Sequence, residues 1–131
     1  TSAPPPTSGD TTPYTGTPAA IPGTIEAGFF DKGAANAAYA DSDPGNNGGA
    51  LRTTDVDIER SSDGGYNIGW SANGEWMAYT VNVAASGAYT AAFRVASRGG
   101  GRMQVSFGAR PVCIYCRAKP ASSGRSTARP S

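Results

Sequence analysis

The chain has 131 residues, and its composition limits the folds that it can adopt. Hydrophobic residues make up 38%, but 22 of them are Ala and one is Leu, so a helical bundle packed through leucines is excluded. The formal net charge is +1, which is too small to indicate a fully disordered chain, and two Trp and six Tyr can still build a small core. Two structural classes remain possible, an all-β fold and a partly disordered chain. The sequence contains no run of 18 apolar residues, and we expect neither a membrane span nor a membrane partner.

Residues 1–20 consist mostly of Thr, Pro, Ser, Gly and Ala. Fixed proline dihedrals and the scarcity of large apolar side chains favour an extended spacer that buries no core. The segment therefore predicts a linker. Because linkers of this composition join the modules of secreted proteins, we expect an extracellular, multidomain parent protein.

After residue 20 the pattern becomes typical of β-structure. A short β-type run covers residues 24–30, and the sequence DPGNNGG at 43–49 predicts a loop. Further strands are expected within residues 51–59 and 66–70, with turns at SSDGG and SANG. Alternation of apolar and polar residues predicts two strands joined by a short turn, at 76–83 and 89–95, and another at 103–107. Four to six such strands favour a sandwich.

From residue 109 onward this alternation is lost. All ten acidic residues precede residue 76, whereas the remainder holds eight Arg and Lys. A basic tail can contact nucleic acid, but we expect no nucleic-acid partner and interpret residues 109–131 as a non-native or disordered tail, with a frameshift as one hypothesis. Cys113 and Cys116 form a CxxC pair without a second pair or any His, so we expect incidental thiols rather than a zinc site.

Four segments in order, TIEAGFFDKG, DPGNNGGALRTTDVDIE, DGGYNIGWSANGEWMAYTVNV and SGAYTAAFRVASRGGG, resemble a carbohydrate-binding module of family 6. The resemblance covers residues 21–108. It implies an all-β fold, a jelly-roll sandwich of two antiparallel sheets that is incomplete here at the C-terminus, and no catalytic activity. It further implies linkage to a glycoside hydrolase that acts on plant or algal polysaccharide of the xylan or β-glucan class.

The same resemblance implies where a sugar would bind. Trp70 occupies the position of an aromatic residue that grips a sugar ring in the main cleft, and Trp76 that of an aromatic residue in a second cleft. Family members often contact sugar hydroxyls through an upstream acidic residue, for which Glu59 is the first candidate and Asp57 the second. Tyr39 is a further candidate for the rim of the cleft.

A structural calcium ion is also implied by the resemblance. Glu26 is the candidate ligand. The family usually carries a second carboxylate shortly after it, where this chain has Gly28 and Phe29. Because calcium takes six to eight oxygen ligands, a site that lacks this carboxylate is expected to be weak.

Stacking on an aromatic residue is physically reasonable because a pyranose ring has an apolar C–H face and a polar rim of hydroxyls. Each candidate also has another interpretation. Trp70 can pack in the core instead, core packing explains Trp76 equally well, and Tyr39 can be an ordinary surface tyrosine. A structural or adhesion sandwich without glycan binding, or a fragment that does not fold stably, is the alternative to the binding module.

Catalysis by this chain is not expected. No His is present, so a Ser-His-Asp triad is excluded. Glu59 and Glu75 would have to face each other across a groove to hydrolyse a glycoside, and nothing in their spacing places them so.

Overall fold

The computed structural model describes residues 11–107, 112–118 and 126–128, the last two ranges as backbone only. The described residues form one short 3₁₀ turn, Ala27–Phe29, and ten strands. In chain order the strands are β1 Ala19–Ile21, β2 Tyr39–Ala40, β3 Ile58–Arg60, β4 Tyr66–Ile68, β5 Glu75–Tyr79, β6 Val81–Val83, β7 Ala91–Phe93, β8 Gly101–Ser106, β9 Val112–Ala118 and β10 Ser126–Ala128.

The strands form four sheets. The largest has the order β2-β5-β9-β8 and is antiparallel throughout. Two antiparallel pairs, β3-β4 and β10-β7, and one parallel pair, β1-β6, complete the set. The predicted all-β fold with antiparallel sheets is confirmed. In the described part of the chain, no helix is long and apolar enough to cross a membrane.

Strand β5 lies at the centre of the packing, and all five of its residues are buried. Successive side chains of a strand point to opposite faces. Met77 and Tyr79 pack into the main core cluster, whereas Trp76 and Ala78 form a second cluster with Ala40. Both faces of the strand are therefore covered. The remaining buried members of the main cluster are Phe30, Ala38, Tyr39, Val56 and Ile58.

Two local expectations are wrong. The run at residues 24–30 forms the 3₁₀ turn and not a strand, and the Phe29 amide donates to the Glu26 carbonyl at 3.0 Å. The turn packs closely, since a Cβ added at Gly28 would lie 2.8 Å from Leu51 Cδ2. Strands β6 and β7 do not pair with each other, because β6 pairs with β1 and β7 with β10. Alternation identifies a strand but not its partner.

Residues 11–21, here called the N-terminal strap, pack on the sandwich. The sequence predicts a linker over residues 1–20, whereas the backbone of Thr12 exchanges two hydrogen bonds with Lys32, of 3.0 and 2.8 Å. Strand β1 then pairs with β6, with Ala19 opposite Val81. The free edge of β6 thus provides backbone partners that composition alone does not reveal. Residues 1–10 lie outside the described residues, and the linker boundary stays a prediction.

Side chains also hold the strap. Tyr14 stacks on Phe29 with ring centroids 4.7 Å apart, and the Arg52 guanidinium lies 4.7 Å from the centroid of the Tyr14 ring. Thr11 Oγ1 donates to the buried carboxylate of Asp31 at 3.1 Å. Aromatic and cation–π contacts of this kind stabilise a fold by roughly 0.5–1.5 kcal/mol each. The strap therefore behaves as part of the folded module.

Two strands, β9 and β10, lie in residues that the sequence analysis places outside the domain. Strand β9 fills the position between β5 and β8, with its residue 115 opposite Trp76. The sequence VCIYCRA contains β-branched and aromatic residues that fit a pleated sheet, and β5 and β8 would otherwise expose unpaired edges. The rest of residues 109–131 lies outside the described residues. The interpretation of this tail as non-native stays a prediction.

Replacing Tyr14 tests whether the strap belongs to the fold. Tyr14→Ala removes the contacts with Phe29 and Arg52, and we expect the free energy of unfolding in urea to fall by about 1–2 kcal/mol. Thr17→Ala, an exposed change in the same strap, is the control and should alter it by less than about 0.5 kcal/mol. An unchanged unfolding midpoint in Tyr14→Ala would show that the strap is only a linker.

Candidate functional site

Trp70 is the large aromatic side chain that the described residues expose most. Its relative exposure is 61%, and its φ of 49° lies in the left-handed region. A residue other than Gly in this region costs roughly 1–2 kcal/mol and persists only when its surroundings impose it. Such strain is concentrated at functional sites. Trp70 thus presents a flat apolar surface to solvent from a constrained backbone.

Backbone amides on both sides of Trp70 donate hydrogen bonds that restrain the loop around it. The amide of Gly69 donates to the carbonyl of Asp57 at 2.9 Å. On the other side, the amide of Ala72 donates to Oε2 of Glu75 at 2.7 Å. The peptide groups 68–69 and 71–72, one step away from Trp70 on each side, are therefore tied to two different segments of the sandwich.

A polar pair lies beside Trp70. Glu59 in β3 and Asn67 in β4 are cross-strand partners, and Asn67 Nδ2 donates to Glu59 Oε1 at 2.9 Å. A Cβ added at Gly69 would lie 3.9 Å from that same Oε1, so the carboxylate reaches the backbone next to the indole. Both polar side chains are only partly buried. A flat aromatic surface with a carboxylate and an amide beside it matches the two kinds of surface on a sugar ring.

The other candidate sugar contacts are covered in this structure. Trp76 is 1% exposed and packs on Ala40, so neither face of its indole is open to a ligand. Tyr39 is a core residue whose hydroxyl donates to Asp55 at 3.5 Å. Asp57 is 2% exposed. All three side chains would have to be uncovered before they could contact a sugar.

Asp57 anchors a loop instead. Its Oδ1 accepts a hydrogen bond from the amide of Asn47 at 2.6 Å, in the predicted DPGNNGG loop. The fold needs a glycine beside it, because a Cβ at Gly48 would lie 2.1 Å from the carbonyl oxygen of Ile58. The loop therefore packs tightly on the start of β3, near the Glu59 side of the site.

Three acidic side chains converge behind the Trp70 loop. Ligand oxygens of Asp41, Asp43 and Glu75 all lie within 4.8 Å of one another. Burial raises the pKa of Asp41 to about 6, and the negative charge of Glu75 adds to this increase. Carboxylates at this spacing are a donor set that hard divalent cations accept. Without a cation, the cluster carries mutual repulsion at neutral pH.

The raised pKa of Asp41 predicts a pH dependence of stability. Because folding raises this pKa above the model-compound value of 3.8, the group favours the fold most below about pH 4, and this contribution is lost as the pH rises through about 6. Asp41→Asn stays neutral throughout. The free energy of unfolding of the variant relative to wild type should therefore increase between pH 4 and pH 7, measured by urea denaturation. A constant difference would contradict the raised pKa.

The calcium site implied at Glu26 does not fit the residues around it. Glu26 is exposed, and the nearby position of the missing carboxylate is Gly28, against which Leu51 packs. The guanidinium of Arg52 donates to the carbonyls of Gly28, Phe30 and Asp31, the last at 3.0 Å. A cationic side chain thus already takes the carbonyl oxygens that a metal ion would need. Arg52 therefore holds the turn, and at this turn Glu26 alone offers an exposed carboxylate as a metal ligand among the described residues.

Replacement of Glu26 should accordingly leave any response to calcium unchanged. We expect wild type and Glu26→Gln to have the same melting temperature, with the same shift on adding millimolar calcium or EDTA, because the carboxylate is exposed and forms no hydrogen bond with the described residues. A calcium-dependent rise in melting temperature that Glu26→Gln alone abolishes would place the ion at this turn. Differential scanning fluorimetry measures both quantities.

The sequence profile of carbohydrate binding module (family 6) matches residues 49–127. This range contains Glu59, Asn67, Trp70 and Glu75, and it covers well over half of the chain. The chain belongs to this family. It is therefore a noncatalytic carbohydrate-binding module rather than a catalytic domain, and its ligand is a polysaccharide. No curated protein matches the chain.

The sequence offers Trp70 as a candidate but does not indicate the buried acidic side chains that hold nearby and distant loops. Glu75 stands next to Trp76 in the GEW triplet, and its position at the start of a buried strand was the available signal.

Asp31 is 1% exposed and accepts hydrogen bonds from Thr80 through both carboxylate oxygens. The sequence signal for this buried acceptor was the position of Asp31 directly after two Phe, in FFDKG. Long-range bonds of this kind have no local sequence pattern.

Proposed function

We propose that the module binds plant or algal cell-wall polysaccharide of the xylan or β-glucan class, with Trp70 as the stacking surface. The observation that carries the proposal is the exposed indole, held in a strained backbone conformation beside the Glu59–Asn67 pair. The indole of Trp70 stacks on the apolar face of one sugar ring. Glu59 accepts hydrogen bonds from its hydroxyls, and Asn67 orients Glu59.

The expected affinity is modest. Stacking removes about 50 Å² of apolar surface from water, which stabilises the complex by on the order of 1 kcal/mol. Each hydroxyl hydrogen bond adds about 1 kcal/mol net of water. Dissociation constants of roughly 10–1000 μM follow. A module of this affinity acts by raising the local concentration of what is linked to it, so we propose that it tethers a glycoside hydrolase to its substrate outside the cell.

Trp70→Ala is the direct test of the stacking surface. We expect the variant to bind insoluble xylan, cellulose or β-1,3-glucan roughly five- to tenfold more weakly than wild type, because about 1–1.4 kcal/mol of stacking is lost. Depletion isotherms on the three polysaccharides measure the change. The polysaccharide with the largest difference between the two proteins identifies the ligand class.

Val95→Ala is the matched control, because Val95 is another exposed apolar side chain, with 52% exposure, on a different segment. It should bind like wild type. Equal retention of wild type and Trp70→Ala on every polysaccharide would contradict the proposed surface. If wild type binds none of them, the chain is a structural or adhesion sandwich instead.

A further inference from the structure

The conformation of Trp70 depends on its neighbours and not on packing of its own ring. The indole is 61% exposed, and the stacked ring pairs of the described residues do not include it. A left-handed φ at a tryptophan reverts to a commoner conformation unless other bonds prevent it. Hydrogen bonds to the amides of Gly69 and Ala72, one residue before and two residues after Trp70, are therefore the restraints that act on the loop that carries the indole.

Glu75 provides one of these bonds and links it to the rest of the fold. Its side chain is buried, with 8% exposure. Oε2 accepts from the amide of Ala72, and Oε1 accepts from both the amide of Ser42, at 3.1 Å, and the Ser42 hydroxyl, at 2.5 Å. One carboxylate thus joins the Trp70 loop to the loop after β2. Since Glu75 begins β5, both loops are anchored to the most buried strand.

We propose that Glu75 is a positioning residue for sugar binding: it holds the loop that carries Trp70 so that the indole is already in its binding orientation before a ligand arrives. The inference rests on the proposed function of Trp70 as the stacking surface. Glu75 does not itself contact the sugar, because its carboxylate is buried and both oxygens are occupied. An ordered loop increases affinity because less conformational freedom is lost on binding.

Glu75→Gln isolates the hydrogen bonds at nearly constant size. A carboxylate accepts hydrogen bonds through both oxygens, whereas a side-chain amide accepts them through its oxygen and donates them through its nitrogen. The amide oxygen keeps two hydrogen bonds when it faces the amide and hydroxyl of Ser42, which turns the amide nitrogen toward the Ala72 amide and removes that bond. Asp41→Asn is the charge-matched control: it removes one charge from the same cluster, and Asp41 makes no hydrogen bond to either residue.

Amide hydrogen exchange and glycan affinity together test the proposal. In the unliganded protein we expect the Ala72 amide of Glu75→Gln to exchange at least tenfold faster than in wild type, and that of Asp41→Asn to be unchanged. The dissociation constant for soluble xylo- or laminari-oligosaccharides should rise about fivefold in Glu75→Gln only. A residue that merely supports global stability would alter the melting temperature without changing Ala72 exchange selectively in the folded protein.

Unchanged Ala72 exchange or unchanged affinity in Glu75→Gln would overturn the proposal, and an equal loss of affinity in Asp41→Asn would assign the effect to charge. Should Glu75→Gln fail to fold, Glu75→Asp decides, because it keeps the charge but withdraws the carboxylate by one methylene from the Ala72 amide. Faster Ala72 exchange with weaker binding then supports positioning, and wild-type values refute it. Absence of binding by wild type would instead refute the function of Trp70, whatever the exchange data show.

Discussion

Buried polar side chains that bind the backbone of long loops are the constraint on which this structure depends. The chain has few large apolar residues, and much of it lies outside strands, so many loop amides and carbonyls need partners. Asp31, Asp57 and Glu75 are buried and accept hydrogen bonds from the backbone amides of Thr80, Asn47 and Ser42, which lie 10 to 49 residues away. Asn46 does the same through both ends of its amide, donating to Ala50 and accepting from Ile58. Loss of one such side chain leaves buried groups unpaired, at a cost of about 1–3 kcal/mol each.

The same arrangement explains how a small sandwich presents a binding surface. Strand β5 supplies a rigid centre, and Glu75 at its start fixes the loop that carries Trp70. Strands β3 and β4 hold Glu59 and Asn67 directly opposite each other, close to the Gly69 that precedes Trp70. The proposed site is thus an exposed indole with a polar pair beside it. Weak binding to a repeating polymer is sufficient for a module that acts through proximity.

The sequence predicted what local patterns encode. Alternation located β7, β8 and, as a single strand, the residues of β5 and β6; glycine-rich stretches located the loops, and the order of motifs identified the family. The choice of Trp70 as the sugar contact stays a prediction. Strand partners were not predictable, because the parallel pairing of β1 with β6 joins segments some sixty residues apart. The linker-like composition of the strap gives no sign of its packing, because the contacts of Tyr14 with Phe29 and Arg52 are tertiary. Likewise, nothing local distinguishes a buried Trp76 from an exposed Trp70.

That distinction between the two tryptophans permits the most direct test of the account. Each indole N–H gives its own signal in a ¹H–¹⁵N correlation spectrum, and both can be followed while a soluble xylo- or β-gluco-oligosaccharide is added. The account predicts that the Trp70 signal moves with a saturable dependence on sugar concentration while the Trp76 signal stays in place. Saturable movement of Trp76 with a stationary Trp70 would contradict it, as would no movement of either signal at millimolar sugar.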